Sequence, residues 1–311
     1  MLTYNNWFAP EFLSGQNQPN YVDPWQIKFN HTDCDTEMTF PDAIKHALEL
    51  ISQTHDNIVV QYSGGLDSEI IIREAIKSGI DITPYTLRFH NNLNEHEIYY
   101  CKLLESDLGI EVKYIDIDIE AWWSDPKFHK GYCHYITHQG MWHPAAPLAW
   151  WMRERISEIH GDCCVINGSG DPPLIRRPDR HNIRSWQWGI SYNLDGHWKR
   201  LSYSEQNFPQ DVPLFFLYIP ELHYSYLTHD MVYECVQPNS FKLGPTSTRH
   251  RLYSEYYPEI TPRTKYHGFE NLLKLNKHKP EVYHKSYAGA MNTRHIPYEE
   301  YIRMLRGTTH T

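Results

Sequence analysis

The chain has 311 residues, of which 41% are hydrophobic and 22% are charged, and its formal net charge at pH 7 is −9. A chain of this length forms one large or two modest domains with a sizeable core. The acidic balance disfavours a protein whose whole surface binds nucleic acid. The sequence also lacks an apolar run of about 18 residues, the length that crosses a membrane as a helix.

The amino-terminal residues and the cysteines indicate a reduced, cytoplasmic protein. The opening run MLTYNNWFAPEF lacks the basic start and the apolar core of a signal peptide. The six cysteines form neither a C-x-x-C pair nor a zinc-finger spacing. Residues 1–40 are polar, aromatic and rich in Asn, and we predict an extension made of loops with at most an edge strand.

After this extension, alternating patterns predict a parallel sheet with helical crossovers. A helix is predicted for FPDAIKHALELISQTHD, because its apolar residues recur with the i, i+3, i+4, i+7 spacing of one helix face. The short apolar run NIVVQY then indicates a buried parallel strand. The following segments are predicted in turn as helix DSEIIIREAIKSG, strand DITPYTLRF, helix NEHEIYYCKLLESDLG and strand EVKYIDIDI. This rhythm is typical of strand–helix–strand units.

The later part of the chain predicts one more helix and strand before the pattern changes. PLAWWMRERISEIHG is a helix candidate, CCVIN a buried strand, and GSGDPP a turn. From Trp186 onward, aromatic and polar residues alternate in segments that indicate short strands or hairpins. We therefore predict three regions: an extension over 1–40, a nucleotide-binding core over 41–185, and a substrate- and phosphate-contacting region over 186–311 packed on the core.

The glycine-rich loop Ser63–Ser68, with the sequence SGGLDS, lies between a predicted strand and a predicted helix. The unpaired N–H groups and the dipole at a helix start attract an anion, and Gly64 and Gly65 let a phosphate approach the backbone. Asp67 would repel phosphate unless a divalent cation such as Mg²⁺ lay between them. The loop matches neither G-x-x-x-x-G-K-[ST] nor G-x-G-x-x-G. We predict a pyrophosphate site, with a plain glycine turn as the alternative.

SGGLDS resembles the PP-loop of the ATP pyrophosphatase superfamily, and its Leu form resembles the synthetase domain of asparagine synthetases. The likeness continues through YTLRFHNNLNEHEIYYCKLLESDLGIEVKYIDID, which is similar to the family's second strand, acidic helix start and third strand. TPRTKYHGFENL resembles a family segment in which a basic residue reaches the phosphates. The resemblance covers residues 42–170 and, more loosely, 261–273.

This resemblance implies a fold and a chemistry. The fold is α/β, a doubly wound parallel five-stranded sheet of the Rossmann-like, adenine nucleotide alpha hydrolase type, with additions at both chain ends. The cofactors are ATP and Mg²⁺. A substrate carboxylate or carbonyl is adenylated with release of pyrophosphate, and ammonia or an amine then displaces AMP, so the resemblance implies an AMP-forming ligase or amidotransferase acting on a small molecule.

Site residues are carried over by position from the family pattern. The residues implied to bind ATP or pyrophosphate are Ser63, Gly64, Gly65, Leu66, Asp67, Ser68, Leu87, Arg88, Phe89, Gly168 and Arg176. Within this set, Leu87, Arg88 and Phe89 are expected near adenine, at the end of the second strand of the core. The residues implied in catalysis are Asp67, Asp171, Arg263 and Lys265. Asp67 and Asp171 are the expected Mg²⁺ ligands.

The sequence departs from asparagine synthetases at two points. The family places a glutamate base after its fourth strand, and Ser169 stands at that position, so the catalytic base is not carried over. The segment before the loop is too short for a glutaminase domain, and Leu2 stands where that domain carries a nucleophilic Cys. Nitrogen is therefore expected from free ammonia, an amine substrate or a partner chain.

Other functions stay open from the sequence. The same loop could serve an enzyme that modifies a nucleotide or a nucleic-acid base, one that displaces a pyrophosphate already on its substrate, or a nucleotide-binding regulator without turnover. Thiolation of tRNA is disfavoured by the missing C-x-x-C pairs and the acidic charge. Cys133, His134, His138 and His143 could bind a transition metal. With 20 His in the chain, a chance grouping is the simpler interpretation.

Overall fold

The computed structural model describes residues 7–12, 25–29, 34–125, 146–172, 174–178, 186–193, 204, 207–237, 245–263, 271 and 293–307. The strands in these ranges are β1 (Phe8–Phe12), β2 (Trp25–Phe29), β3 (Ile58–Gln61), β4 (Thr83–Phe89), β5 (Lys113–Ile117), β6 (Cys164–Asn167), β7 (Leu174–Pro178), β8 (Trp186–Asn193) and β9 (Thr293–Pro297). The helices are α1 (Phe40–Ser52), α2 (Leu66–Lys77), α3 (Glu95–Leu108), α4 (Ile119–Ser124), α5 (Ala146–His160), α6 (Pro220–Thr228), α7 (Asp230–Val236), α8 (Pro245–Tyr256) and α9 (Tyr298–Leu305). Their order confirms the predicted alternation of strands and helices.

The central sheet is parallel and has the strand order β5-β4-β3-β6 within the described part of the chain. It confirms an α/β fold, but it has four strands where five were predicted. Beside β6, Val212 makes a single parallel bridge to Ile166. The backbone N–H of Val212 donates to Val165 and its carbonyl oxygen accepts from Asn167, and the chain then enters a short 3-10 turn at Phe215–Leu217.

The strand order reverses between β3 and β6. The chain passes from β3 to β4 to β5 in one direction across the sheet, and β6 then pairs with the opposite side of β3. At the carboxyl ends of these two strands Gln61 lies opposite Asn167. Ligands of open α/β sheets bind in the crevice at such a switch point. The loop Ser63–Ser68 and the turn that follows β6 both begin there.

The predicted apolar stripe of α1 forms part of the core. Ile44, Ala47, Leu48 and Ile51 have no exposed surface. Thr39 caps the helix, since its hydroxyl oxygen accepts a hydrogen bond from the backbone N–H of Asp42 at 3.4 Å. The stripe packs against α2 and α6, so residues from the central core and from the carboxyl-terminal region share one hydrophobic cluster.

Two small antiparallel sheets accompany the central one. β1 pairs with β2, and β8 pairs with both β7 and β9. The predicted change to short strands after Trp186 is confirmed over β8, where the backbone of Gly189 lies opposite Pro297 of β9. None of the described helices combines the length and the apolar character that crossing a membrane requires.

Candidate functional site

The loop between β3 and α2 has the backbone shape that the sequence predicts for a glycine turn. Gly64 has a φ of +69°, and a Cβ built on it would lie 2.8 Å from the carbonyl oxygen of Glu97. Only glycine avoids both the left-handed strain and this collision. Gly65 is the N-cap residue of α2, and no side chain hydrogen-bonds there to cap the helix. The first-turn amides of α2 therefore form a site suited to an anion.

Buried polar contacts fix the other side of this loop. Arg263 donates one hydrogen bond to the carbonyl oxygen of Gly64 and another to the carboxylate of Glu69, and its guanidinium lies 4.4 Å from the ring centroid of Tyr100. The hydroxyl of Tyr62 donates to the same Glu69 carboxylate at 2.9 Å. The structure thus places Arg263 against the loop, with 8% of its side chain exposed and its guanidinium bonded to the loop backbone.

The two predicted metal ligands lie close together beside the loop. The guanidinium of Arg249 donates to Oδ2 of Asp67 at 3.0 Å and, through its other terminal nitrogen, to Oδ2 of Asp171. The hydroxyl of Tyr253 donates to Oδ1 of Asp67 at 2.8 Å. The side chains of Asp67, Asp171 and Arg249 are 25%, 23% and 22% exposed, so all three are mostly buried but keep some surface in contact with solvent.

The electrostatic environment of these carboxylates favours a cation between them. Burial raises the pKa of Asp67, and the neighbouring Asp171 raises it further, while Arg249 opposes both effects. Burial acts to lower the pKa of Arg249, but Asp171 and Asp67 outweigh it and raise that pKa well above its usual value. The two carboxylates therefore need one positive charge at this position, and Arg249 supplies it.

Three side chains that contact α2 lie on helix α8 and directly after its end. Arg249, Tyr253 and Tyr257 follow one another at four-residue spacing, so they lie in one row along the helix and its end. The first two contact Asp67, and the hydroxyl of Tyr257 donates to Glu74 at 2.7 Å. Arg249, Tyr253 and Tyr257 were not among the residues predicted from the sequence. The R-x-x-x-Y-x-x-x-Y row was the signal that could have identified this face of α8.

The turn after β6 forms the second wall of the site. A Cβ on Gly168 would lie 2.6 Å from Oγ of Ser68, so Gly168 permits the close approach of this turn to the start of α2. Gly170 has a φ of +96°, and its carbonyl oxygen accepts a hydrogen bond of 2.8 Å from Nε2 of His223. This bond fixes the backbone next to Asp171 and assigns the proton of the imidazole to Nε2.

Ser169 has no acid–base partner in this turn. Its hydroxyl donates to the side-chain oxygen of Asn167 at 2.5 Å. The amide of Asn167 donates in turn to Gln61 at 2.9 Å, and Gln61 donates to the carbonyl oxygen of Ala149 in α5 at 2.9 Å. The chain of bonds leads from the turn to a small cleft between β3, β6 and α5, whose wall includes Trp150. It orients amide groups and supplies no general base.

The end of β4, where adenine was expected, is occupied by contacts within the protein. The side chain of Arg88 forms an exposed ion pair with Asp116 at 2.5 Å. The side-chain oxygen of Asn94 accepts from the backbone N–H of Phe89 at 2.9 Å, and its nitrogen donates to the carbonyl oxygen of Leu87 at 2.8 Å. The backbone N–H of Phe89 and the carbonyl oxygen of Leu87 are thus both hydrogen-bonded to Asn94.

Some predicted site residues fall elsewhere. Lys265 and the group Cys133, His134, His138 and His143 lie outside the described residues. Arg176 belongs to β7, opposite Trp188 of β8. Among the residues that the structure describes, no three or more His, Cys, Asp or Glu side chains group as a metal site. A magnesium site needs only one or two carboxylates, because water and substrate phosphates supply the other ligands.

Comparisons with known proteins give limited information. No protein-family model matches the chain. No curated protein matches it either. Among solved structures the chain is similar to an NMN synthetase from Francisella tularensis, with 14% sequence identity over 80% of this chain and 95% of that chain and a TM-score of 0.33. A similarity at this level carries no argument about the site or its chemistry.

Proposed function

We propose that this protein is an ATP-using enzyme of the PP-loop type, which binds the β- and γ-phosphates of ATP at Ser63–Ser68. The observation that carries the proposal is the site's geometry. A turn that requires glycine at position 64 leads into the uncapped start of α2, at the switch point of a parallel sheet. Two carboxylates, Asp67 and Asp171, converge beside this start. Helix starts bind phosphate, and paired carboxylates bind the Mg²⁺ that accompanies it.

The donor set fits a divalent cation. Oδ2 of Asp67 and Oδ2 of Asp171 both accept hydrogen bonds from the guanidinium of Arg249, so the two carboxylates face one shared position that a divalent cation could occupy. Mg²⁺ held there would neutralise charge that develops on the leaving diphosphate. The chain's own residues do the rest: the α2 amides orient the diphosphate, Tyr253 fixes Asp67, and Arg263 keeps the loop in its shape.

The specific reaction that we propose is carbon–nitrogen ligation with formation of AMP. A carboxylate oxygen of the substrate attacks the α-phosphorus, the bond to the bridging oxygen breaks, and diphosphate leaves with that electron pair. The nitrogen of ammonia or an amine then attacks the acyl carbon, AMP leaves, and the nitrogen gives up a proton. An enzyme that holds diphosphate by preorganised amides stabilises the first transition state, since those dipoles do not have to reorient.

A second candidate function is displacement of a diphosphate that the substrate already carries. The contact of Asn94 with the backbone of Leu87 and Phe89 favours it, because these groups are then not available to an adenine ring. In this reaction the same amides and carboxylates would hold the leaving diphosphate. ATP would not be consumed.

The two candidates differ in their products. We expect incubation with α-labelled ATP, Mg²⁺ and pools of carboxylic acids and amines to release AMP and diphosphate. Asp67→Asn should lower the rate by roughly 10²–10³-fold, the range found when one preorganised electrostatic group is removed. Glu158→Gln is a matched control, since it removes an exposed carboxylate that pairs with Arg155, away from the predicted site residues. ADP as the product, or a rate unaffected by Asp67→Asn, would contradict the ligase proposal.

A further inference from the structure

Arg249 stands where the proposed divalent cation would bind. Its two terminal nitrogens donate separately to Asp67 and Asp171, so the guanidinium bridges the carboxylates. A divalent cation that used the same two oxygen atoms would have to replace it. Arg249 and the cation therefore compete for one position.

The bridge is only partly satisfied by the protein. Nε of Arg249 is buried and has no hydrogen-bond partner in the described part of the chain. The Arg249 side chain as a whole is 22% exposed, and its terminal nitrogens contact Asp67 in the first turn of α2 and Asp171 in the turn after β6. A buried donor without a partner is unfavourable, and a planar guanidinium pairs well with phosphate oxygens. The side chain is thus placed to gain a partner when a phosphate arrives.

Charge favours the same exchange. Asp67 and Asp171 carry two negative charges against the one positive charge of Arg249, so the cluster repels a free diphosphate. If Arg249 turned to the diphosphate while the carboxylates bound a divalent cation, the carboxylates and the diphosphate would each contact a positive charge. The hydroxyl of Tyr253 would keep Asp67 in place, because that hydrogen bond does not involve Arg249.

We propose that Arg249 is a phosphate-binding residue that moves between two partners. Without ligand it bridges Asp67 and Asp171, and with cation and diphosphate bound it contacts the diphosphate. This inference rests on the proposed function, since it concerns the same diphosphate site. Its consequence is coupled binding: the cation alone binds weakly, because it must displace Arg249, and diphosphate strengthens cation binding by giving Arg249 a new partner.

The test measures binding rather than activity. Mn²⁺ is titrated into the protein with and without inorganic diphosphate, and free Mn²⁺ is followed by electron paramagnetic resonance. For Arg249→Gln we expect roughly tenfold tighter binding of Mn²⁺ alone and roughly tenfold weaker binding of diphosphate in the presence of Mn²⁺. Arg251→Gln is the matched control, because Arg251 lies on the same helix and is exposed; it should leave both affinities unchanged.

A second variant guards against a folding defect in the first. Arg249→Lys keeps the positive charge but lacks the planar fork that bridges two carboxylates, so it should also bind Mn²⁺ alone more tightly than the wild type. Affinities of both Arg249 variants equal to those of Arg251→Gln would overturn the role of Arg249 while leaving the diphosphate site intact. A wild-type protein that binds no diphosphate even with Mn²⁺ would instead contradict the proposed function.

Discussion

At the scale of single residues, Gly64 shows how one backbone position determines the site. Its positive φ turns the chain from β3 toward α2, and its missing Cβ lets the loop pass within contact distance of Glu97. Gly79, after α2, has an almost identical φ of +70° but no atom within 4 Å of its virtual Cβ. The two glycines share the conformational requirement, and they differ only in the space around them.

We therefore predict different costs for the same substitution at these two glycines. Gly79→Ala should lower the free energy of unfolding by about 1 kcal/mol, because it adds left-handed strain alone. Gly64→Ala should lower it by about 2–4 kcal/mol, since the collision with the Glu97 backbone adds to that strain, and it should also abolish diphosphate binding. Urea unfolding and calorimetric titration measure the two effects. Equal stability losses would show that the contact with Glu97 is unimportant.

The sequence predicts loop residues better than their partners. Ser63–Ser68 is a contiguous motif, so its strand–turn–helix setting could be predicted from local order alone. The partners Arg249 and Tyr253 lie more than 180 positions away from Asp67 in the chain, with separations of 182 and 186. Nothing local specifies which basic residue of the carboxyl-terminal region meets Asp67; Arg263 and Lys265 were predicted as phosphate contacts, and Arg249 was not predicted at all.

At the scale of elements, a buried ion pair between Arg153 of α5 and Asp211 joins α5 to β6, because Asp211 also bonds to the backbone of β6. Arg153 donates to Asp211 at 2.5 and 2.9 Å and also to the carbonyl oxygen of Cys163, while Asp211 accepts from the backbone N–H of Val165. Both side chains are almost fully buried. The pair thus fixes the segment that bridges β6 at Val212, next to the turn that carries Asp171.

Removal of Arg153 should leave Asp211 buried and unpaired. We predict that Arg153→Met lowers the free energy of unfolding by about 3–5 kcal/mol, the usual cost of an uncompensated buried charge. Arg155→Met, on the same helix, removes an exposed ion pair with Glu158 and should cost less than about 1 kcal/mol. Chemical denaturation of the two variants measures the difference. A loss for Arg153→Met as small as that for Arg155→Met would contradict the role of the pair.

The same variant should show a defined pH dependence. Burial raises the pKa of Asp211 to about 6 from 3.8, although Arg153 opposes this rise. Loss of Arg153 raises the pKa of Asp211 in the folded protein further. A carboxyl group whose pKa is higher in the folded than in the unfolded state makes its full contribution to stability below the unfolded pKa. It loses this contribution as the pH rises through the folded pKa. The destabilisation should therefore be larger at pH 8 than at pH 5. A constant difference across this range would contradict it.

Element types were predictable because each pattern is local. The apolar stripe of α1 and the apolar runs of β3 and β6 specify a helix and two strands without reference to the rest of the chain. The fifth strand that was predicted is not found among the described residues. Val212 pairs with β6 over a single bridge, and the chain then turns at Phe215–Leu217 instead of continuing beside β6. The number of strands in a sheet is set by such interruptions as well as by apolar runs.

At the scale of the whole molecule, the carboxyl-terminal region completes the site from both sides. α8 supplies Arg249 and Tyr253, and the hydroxyl of Tyr301 in α9 lies 2.7 Å from Nδ1 of His223, whose other nitrogen binds the Gly170 carbonyl. The loop Ser63–Ser68 and the turn after β6 are therefore contacted by residues that follow the core in sequence. A core segment without this region would lose both the Arg249 bridge and the support of the turn beside Asp171.

We propose that the start of α2 binds a diphosphate, and the amide signals of its glycines report directly on such binding. The chain has 16 glycines, so protein labelled with ¹⁵N-glycine gives few amide signals. The amide signal of Gly65 is identified by its loss in the variant Gly65→Ala. This substitution is tolerated, because the added Cβ lies 3.5 Å from its nearest neighbour, an ordinary contact distance. On addition of magnesium diphosphate we predict the largest shift at Gly65 and none at Gly79. If the Gly65 amide signal does not shift when magnesium diphosphate is added, the proposal is contradicted.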